Sequence, residues 1–254
     1  MTQSPGPEPG AAFLAAAGEA LAAARRIVAL TGAGVSAESG LATFRGPGGH
    51  WRQHRPEDLA TPQAFARDPL LVWEWYAERR ALAAAAQPNP AHLALARLEQ
   101  ARHPGDFTLV TQNVDGLHRR AGSTNPIELH GSLWIVRCTG CRRERRDESV
   151  PLAPLPPRCS ACGALERPAI VWFGERLPEE ALPRAFGAVD AADLMLVAGT
   201  SGLVYPAAGL IERAVARGAM TIEVNPESTP HSGAVRFALR GAAGMVLPRL
   251  IGEP

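Results

Sequence analysis

Short apolar runs alternate with amphipathic segments along most of the chain, and this pattern is typical of a parallel β-sheet covered by helices. The apolar runs that predict strands are Ile27–Leu30, Phe107–Thr111, Ile127–Leu129, Leu194–Ala198, Thr221–Val224 and Met245–Leu247. The segments with helical character are Ala11–Ala24, Ala91–Gln100 and Ala207–Arg217. The sequence therefore predicts an α/β fold with a parallel sheet and helices packed on it.

Polar motifs directly follow the predicted strands. These motifs are Thr31–Gly34, Gln112–Asp115, His130-Gly131, Gly199–Ser201 and Asn225. In open α/β sheets, ligands bind beyond the carboxyl ends of the strands. We therefore expect these segments to converge on one functional site.

The first of these strands enters a loop that is rich in glycine and hydroxyl residues, within the segment Ile27–Gly46. Gly32, Gly34 and Gly40 would let backbone N–H groups approach an anion. The glycines alone leave nucleotide binding open, because many turns from strand to helix contain two glycines. The loop also stays polar for longer than an ordinary phosphate-binding turn.

Two segments interrupt the alternation and are expected to form a smaller second domain. Residues 46–90 are helical in pattern and contain the aromatic cluster Trp73–Tyr76. Residues 132–169 contain all four cysteines and a proline-rich stretch at 151–157. Residues 1–10 are rich in proline and glycine and are expected to form a disordered tail.

The four cysteines form two C-x2-C pairs, Cys138/Cys141 and Cys159/Cys162. Pairs at this spacing predict one tetrahedral Zn2+ site in a zinc ribbon. Two disulfides or a redox-active C-x-x-C fit less well in a chain without export features. Four thiolates would leave no open coordination position, so the ion is expected to be structural.

Charge and hydropathy exclude several partners. The chain of 254 residues has a net charge of +1, which gives no general attraction to nucleic acid or anionic membranes. Its densest basic cluster, Arg142–Arg146, contains Glu144 and is followed by Asp147 and Glu148, which is typical of a solvated face. No apolar run is long enough to cross a bilayer. We expect a cytoplasmic and monomeric protein.

Taken together, the motifs resemble those of the sirtuins, and they occur in the order found in that family. They are Gly32–Gly46, Gln112–Asp115, Leu129–Gly131, the cysteine pairs, Val171–Glu175, Gly199–Ser201 and Asn225–Glu227. The resemblance runs from about Ala11 to the end of the chain. Ala42 stands where the family commonly has proline, and Val114 where it commonly has isoleucine.

The resemblance implies an NAD-dependent protein-lysine deacylase. Residues 11–45, 91–131 and 170–254 would form a Rossmann-like NAD-binding domain with helices on both faces. Residues 46–90 and 132–169 would form the small domain. The partners would be acylated proteins or peptides, with NAD as co-substrate.

The resemblance also implies the residues of the NAD site. Those expected to contact NAD are Gly32, Ala33, Gly34, Ser36, Ala37, Phe44, Arg45, Trp51, Gln112, Asn113, Asp115, Gly199, Thr200, Ser201, Asn225, Pro226, Glu227 and Ala243. Gln112, Asn113 and Asp115 would face the nicotinamide and its ribose, since amide and carboxylate groups suit a carboxamide and two hydroxyls.

His130 would be the general base, with Asn113 as the second catalytic residue. The acyl-lysine oxygen would attack the anomeric carbon of NAD as nicotinamide leaves. His130 would then take a proton from a ribose hydroxyl, because a neutral imidazole can accept a proton near pH 7. The products would be free lysine, nicotinamide and O-acyl-ADP-ribose.

Tyr76 and Arg79 resemble the Tyr-x-x-Arg pair of the sirtuins that remove acidic acyl groups. Their spacing places both side chains on one face of a helix. A guanidinium and a phenol can bind the distal carboxylate of a succinyl or malonyl group, and Ala60 would leave room for the longer chain. Val171, Trp172, Phe173, Gly174 and Glu175 would pair with the substrate backbone as an added strand.

Three alternatives share some of these features. A pyridine-nucleotide oxidoreductase would need an acidic residue about 20 positions after the glycine loop, where Trp51, His54 and Pro56 stand instead. A non-catalytic zinc-ribbon module would not need the NAD motifs. Mono-ADP-ribosyl transfer uses the same cleavage of NAD, so the sequence leaves that activity open.

Overall fold

The computed structural model describes residues 10–43 and 55–252. Phe44, Arg45 and Trp51 lie outside the described residues, as do residues 1–9 of the expected tail. The predictions made for them are therefore not tested by the structure.

A six-stranded parallel sheet dominates the fold, with the strand order β3-β2-β1-β7-β8-β9. Its strands are Ile27–Thr31 (β1), Phe107–Thr111 (β2), Ile127–Glu128 (β3), Leu194–Ala198 (β7), Met220–Asn225 (β8) and Phe237–Arg240 (β9). The order reverses between β1 and β7. The crevice at such a reversal, at the carboxyl ends of the strands, is where ligands bind in this class of sheet.

The two central strands are buried at every position. Each reads as an unbroken apolar run, because helices cover both faces of a parallel sheet. One face packs against α1 (Ala11–Ala23), α6 (Pro90–Gln100) and α10 (Ala243–Ile251). The other packs against α8 (Ala181–Ala191) and α9 (Gly209–Ala216). The predicted α/β class is confirmed.

One predicted strand is wrong. Met245–Leu247 lies inside the helix α10, and the last strand of the sheet is β9, which the apolar pattern did not reveal. Val246, Leu247 and Leu250 are buried while Met245 is 58% exposed, which is helical spacing. Three apolar residues in a row cannot distinguish a strand from one turn of a buried helix.

A second, antiparallel sheet has the order β5-β4-β6. Its strands are Gly131–Cys138 (β4), Glu144–Arg146 (β5) and Glu166–Ile170 (β6). Three helices from the first insertion lie before it in the chain, namely Pro56–Leu59 (α3), Pro62–Arg67 (α4) and Pro69–Ala85 (α5). Two further short helices, Gly34–Ala37 (α2) and Leu117–Arg120 (α7), belong to loops that follow β1 and β2.

Arg80 joins α5 to the antiparallel sheet. Its guanidinium is 1% exposed and donates to the carbonyl oxygens of Leu133 and Asp147, at 2.5 and 2.7 Å. The neighbouring residue, Arg79, points the other way and lines a cavity. Helix α5 therefore directs Arg80 to the antiparallel sheet and Arg79 to the cavity.

The basic cluster on β5 is paired with carboxylates. Arg145 donates to Glu166 at 2.6 Å and also contacts Asp147, and Arg146 contacts Glu148. This pairing agrees with the interpretation of the cluster as a solvated, ion-paired face. In the part of the chain that the structure describes, no helix has the length and apolarity needed to cross a membrane.

Candidate active site

The loops after β1 and β7 approach each other at the reversal of strand order. A Cβ added to Gly34 would lie 2.8 Å from the Cα of Gly199, and one added to Gly32 would lie 2.8 Å from its carbonyl oxygen. The amide of Gly34 donates to the carbonyl of Gly199 at 2.8 Å, and that of Gly32 to Ala198 at 3.1 Å. These two glycines thus serve the contact between loops, and their N–H groups are already bonded within the protein.

A buried polar cluster lies where β1 and β2 end. Asp115 accepts a hydrogen bond from Ser36 Oγ at 2.8 Å and one from the amide of Leu117 at 2.8 Å. Asn113 Nδ2 donates to Ser36 Oγ and to the carbonyl of Gly32, both at 3.1 Å. Burial raises the pKa of Asp115, although the bonds from Leu117 and Ser36 oppose this rise. The cluster fixes an amide, a hydroxyl and a carboxyl group side by side.

Thr200 joins the neighbouring loops. Gln112 Nε2 donates to Thr200 Oγ1 at 2.9 Å, and Asn225 Nδ2 donates to the carbonyl of Thr200 at 2.8 Å. Gln112 and Thr200 lie just after β2 and β7, and Asn225 is the last residue of β8. The polar motifs that the sequence placed after different strands thus form one connected surface.

The remaining residues expected near NAD flank this surface. Ala33 and Ala37 belong to the turn around α2, and Ser201 follows Thr200. Pro226 and Glu227 directly follow β8. Ala243 is the first residue of α10, and the next residue, Gly244, donates its amide to the Glu38 carboxylate at 2.6 Å. Glu38, which sequence reasoning missed, therefore ties the loop after β1 to α10.

His130 lies in the two-residue connection between β3 and β4, directly before β4 begins. Its Nδ1 lies 3.1 Å from the carbonyl oxygen of Gln112. A carbonyl can only accept, so Nδ1 carries the proton and the Nε2 lone pair is left as the basic atom. Burial lowers the pKa of His130, although the bond to Gln112 opposes this. The imidazole is therefore neutral at pH 7.

Two further histidines lie beneath the site, and sequence reasoning did not assign them. His92 is fully buried, and its Nε2 lies 3.3 Å from Ser36 Oγ. Its Nδ1 accepts from the amide of Asn89, so Nε2 is the protonated nitrogen. Burial lowers the pKa of His92 to about 4. The position of His92 on the apolar face of α6 was the one signal of its burial.

His118 packs against His92 with 4.8 Å between ring centroids. Its Nε2 lies 2.9 Å from Thr31 Oγ1, and Thr31 Oγ1 in turn donates to Thr111 Oγ1 at 2.8 Å. Burial lowers the pKa of His118 well below its ordinary value, with His92 as a second cause. Both imidazoles therefore support the site as neutral groups.

A cavity of about 40 Å3 opens beside this polar cluster. It is lined by Arg79 and Ala83 on one side and by Asn113, Val114 and Asp115 on the other. The Arg79 guanidinium lies 4.7 Å from the ring centroid of Trp75 and 5.5 Å from that of Tyr76. Burial lowers the pKa of Arg79, with Tyr76 and Asp115 opposing, and the side chain stays a cation at neutral pH.

Tyr76 is 1% exposed and lies behind Arg79. Its hydroxyl oxygen accepts a hydrogen bond from Trp172 Nε1 at 2.9 Å. Burial raises the pKa of Tyr76, so the phenol is neutral and keeps its own proton for donation. Ala60 is buried nearby, and its carbonyl oxygen accepts from the amide of Phe173 at 2.9 Å.

The segment Val171–Glu175 is an extended stretch and a turn after β6, outside the assigned strands. The amide of Val171 donates to the carbonyl of His130 at 2.9 Å, and that of Trp172 donates to the Glu175 carboxylate at 2.9 Å. The amide of Glu175 donates to the Trp172 carbonyl at 3.0 Å, and Gly174 has a φ of +85°. The amides of Val171, Trp172, Phe173 and Glu175 are therefore bonded within the protein, and pairing of this segment with a substrate stays a prediction.

The four cysteines converge at one end of the antiparallel sheet. All four sulfur atoms lie within 4.8 Å of one another. Cys138 and Cys159 are buried, and Cys141 and Cys162 are exposed. Four thiols at this separation, from two C-x2-C turns, fit the donor set of one tetrahedral Zn2+ ion.

Comparisons with known proteins all point to one family of NAD-dependent enzymes. Residues 32–206 match the model of the Sir2 family. The chain is 53% identical over 231 residues to the NAD-dependent protein deacylase 1 of Archaeoglobus fulgidus, covering 91% of this chain and 94% of that protein. It is 56% identical over 204 residues to the NAD-dependent protein deacylase of Aquifex aeolicus, covering 80% and 84%.

Solved structures give the same result. A Sir2 homologue mutant in complex with 2'-O-acetyl-ADP-ribose has a TM-score of 0.88 at 50% identity, covering 96% of this chain and 95% of that one. A Sir2 homologue in complex with NAD has a TM-score of 0.86 at 52% identity, covering 92% and 91%. Sir2Af2 bound to a myristoylated histone peptide has a TM-score of 0.77 at 34% identity, covering 94% and 95%. On the family match and these identities, the chain belongs to the Sir2 family.

Proposed function

We propose that this chain is a protein-lysine deacylase that consumes NAD and accepts acidic acyl groups such as succinyl and malonyl, besides acetyl. NAD-dependent deacylation is the activity named for its close relatives in the Sir2 family. The observation that carries the site assignment is the connected polar surface at the reversal of strand order, with Asp115, Asn113 and His130 around it.

NAD would supply the electrophilic anomeric carbon and the leaving nicotinamide. The carboxamide group of the nicotinamide ring needs donors and acceptors, and Ser36, Asn113 and Asp115 present both at the end of the cavity. Gln112, Thr200 and Asn225 would bind the phosphate and ribose groups along the neighbouring strand ends. Phe44, Arg45 and Trp51 remain predictions for the cover of the site.

His130 would act as the general base toward a ribose hydroxyl. Its Nδ1 is engaged with the carbonyl of Gln112, so the basic Nε2 is held in a fixed direction. Because burial lowers the pKa of His130 from its ordinary 6.5, the neutral form is the main one at pH 7. His130→Ala should reduce turnover of an acylated peptide by roughly 100-fold or more. Near-complete turnover in that variant would remove His130 from this role.

A structural Zn2+ would be held by Cys138, Cys141, Cys159 and Cys162. Four thiolates complete a tetrahedral shell, so the ion would stabilise the end of the antiparallel sheet and would take no part in the reaction. We further propose that residues 11–45, 91–131 and 170–254 form one domain and that residues 46–90 and 132–169 form a smaller one. β4 begins and β6 ends at the last two of these boundaries.

Arg79 and Tyr76 would recognise the distal carboxylate of an acidic acyl group. Arg79 lines the cavity as a cation beside the small side chain of Ala83, and the room expected from Ala60 remains a prediction. The Tyr76 hydroxyl accepts from Trp172, which leaves its proton directed elsewhere. An acetyl group has no carboxylate for Arg79, whereas a succinyl group carries one that a guanidinium can bind through two hydrogen bonds.

One experiment tests the activity and the acyl preference together. Nicotinamide release is measured with acetyl-, malonyl-, succinyl- and glutaryl-lysine versions of one peptide. A charged hydrogen bond contributes about 1.5–3 kcal/mol, so Arg79→Met should lower kcat/KM for the succinyl peptide by roughly 10-fold to 100-fold. The acetyl peptide should change by less than about threefold. Equal losses on both peptides would exclude carboxylate recognition by Arg79.

The same assay separates the alternatives. An oxidoreductase would convert NAD to NADH, which absorbs light where NAD does not, and would release no nicotinamide. Mono-ADP-ribosyl transfer would release nicotinamide while labelling a protein and leaving the acyl group on lysine. Deacylation requires that free lysine and O-acyl-ADP-ribose appear in equal amounts with nicotinamide.

A further inference from the structure

Arg167 connects the segment Val171–Glu175 to the acyl side of the site. Its guanidinium carbon lies 3.4 Å from the ring centroid of Trp172, a close cation–π stack. The same guanidinium donates to both carboxylate oxygens of Glu175, at 2.6 and 2.9 Å, and to the carbonyl of Ile170 at 2.8 Å. Arg167 is only 12% exposed, so these contacts are largely desolvated.

Trp172 links Arg167 to Tyr76, which lies next to Arg79 of the cavity. Its ring is 2% exposed and is packed against Phe65 at 5.4 Å between centroids. Its Nε1 donates to the Tyr76 hydroxyl at 2.9 Å. Tyr76 and Trp75 in turn provide the two aromatic rings against which the Arg79 guanidinium lies. An unbroken chain of contacts thus runs from Glu175 to Arg79.

The two arginines in this series of contacts, Arg167 and Arg79, have different surroundings. Arg167 has a carboxylate partner and stacks on an indole, so its charge is already satisfied. Arg79 lines the cavity and rests on the rings of Trp75 and Tyr76, and Trp172 bonds to the hydroxyl of Tyr76. Loss of the Arg167 stack would release Trp172 and with it the hydrogen bond that orients Tyr76.

We propose that Arg167 and Glu175 are positioning residues that set the acyl preference through Trp172 and Tyr76. The inference rests on the proposed recognition of acidic acyl groups by Arg79 and Tyr76. It adds that this recognition depends on Arg167 and Glu175, which do not line the cavity. Acetyl transfer does not use Arg79, so it is affected much less.

The test uses Trp172→Phe and Arg167→Met. Trp172→Phe keeps a ring for Arg167 to stack on and removes the N–H that bonds to Tyr76, together with part of the indole ring. Arg167→Met keeps the length of the side chain and removes the guanidinium. Arg213→Met is the matched control, because it removes an exposed arginine that pairs with Asp190 on the outer helices.

The measured quantity is the ratio of kcat/KM for succinyl-lysine to that for acetyl-lysine in one peptide, with NAD saturating. A neutral hydrogen bond contributes about 1 kcal/mol, so Trp172→Phe should lower this ratio about fivefold. Arg167→Met should lower it by at least as much. Arg213→Met should leave the ratio and both rates at the parent values.

The outcomes separate this inference from the proposed function. If the parent enzyme does not remove acidic acyl groups, both are overturned. If the parent prefers them and Arg79→Met abolishes the preference, the proposed function stands. An unchanged ratio in Trp172→Phe and Arg167→Met would then overturn the inference alone. Equal losses on both peptides would assign Arg167 a merely structural role, and Trp172→Phe decides the question if Arg167→Met does not fold.

Discussion

Gly131 offers a sharp test of how the antiparallel sheet positions the candidate base. It follows His130, has a φ of +80°, and begins β4 opposite Ile170 on β6. A Cβ at this position would overlap the carbonyl oxygen of Ala169 and lie 3.0 Å from its carbonyl carbon. Because the neighbour is backbone, the overlap can be relieved only by moving the two strands apart.

Gly131→Ala therefore carries two costs. An alanine at positive φ costs about 1–2 kcal/mol, and overpacking against a fixed neighbour adds roughly 1–3 kcal/mol. The strand shift would also displace His130, whose carbonyl accepts the amide of Val171 at 2.9 Å. A displacement of about 1 Å at a reacting group can lower the rate about 100-fold.

Gly218→Ala is the matched control. Gly218 has a φ of +75° in the turn between α9 and β8, and no atom lies within 4 Å of an added Cβ. This variant should lose only the backbone term of about 1–2 kcal/mol and keep its full turnover. Urea unfolding gives the free energies, and nicotinamide release from an acyl-lysine peptide gives kcat. Equal stability losses in the two variants, with kcat of Gly131→Ala within twofold of the parent, would refute the reasoning.

Four further predictions concern pH, the metal and the chain's own reactivity. Burial holds the pKa of His130 below 6.5, so kcat/KM should be level above pH 6.5 and decline only below it; a limb centred above 6.5 in the pH–rate profile would contradict this. The pKa of His92 is lowered to about 4, so stability is fully present above pH 6.5 and should fall by about 3 kcal/mol as pH approaches 4, with a shallower fall in His92→Gln. Metal analysis should find one Zn2+ per chain, and Cys159→Ser should lower both this content and the melting temperature, the latter by roughly 10 °C. All 26 basic residues are arginine and the chain contains no lysine, so incubation with succinyl-CoA should leave every side-chain cation unmodified by mass spectrometry and the activity unchanged.

The sequence predicted the features that depend on short segments. Apolar runs such as Leu194–Ala198 are strands because buried parallel strands need apolar residues at every position. The cysteine pairs predicted the cluster of sulfur atoms, because two residues between the cysteines of a pair allow a turn that brings both sulfur atoms to one ion. The polar motifs after the strands lie at one edge because parallel strands end on the same side.

Contacts between residues far apart in the sequence could not be predicted from short segments. Ser36 meets His92 from a position 56 residues away, and Tyr76 meets Trp172 from 96 residues away. Gly32 and Gly34 look like anion-binding residues in the sequence, yet the structure uses them for the contact with the loop that follows β7. Met245–Leu247 was assigned to a strand because three apolar residues have no distinguishable period.

The residues proposed to bind NAD and those proposed to select the acyl group are held in place by different contacts. The NAD loops are held by backbone contacts such as that between Gly34 and Gly199 and by buried neutral groups such as His92. On one side the cavity is lined by Arg79 and Ala83 of α5, which Arg80 anchors to the antiparallel sheet. Exchanging Arg79 therefore leaves those contacts in place. On this division, substitutions on α5 should change which acyl group is removed while the KM for NAD stays constant, and a parallel change in both would argue that the two parts of the site are coupled.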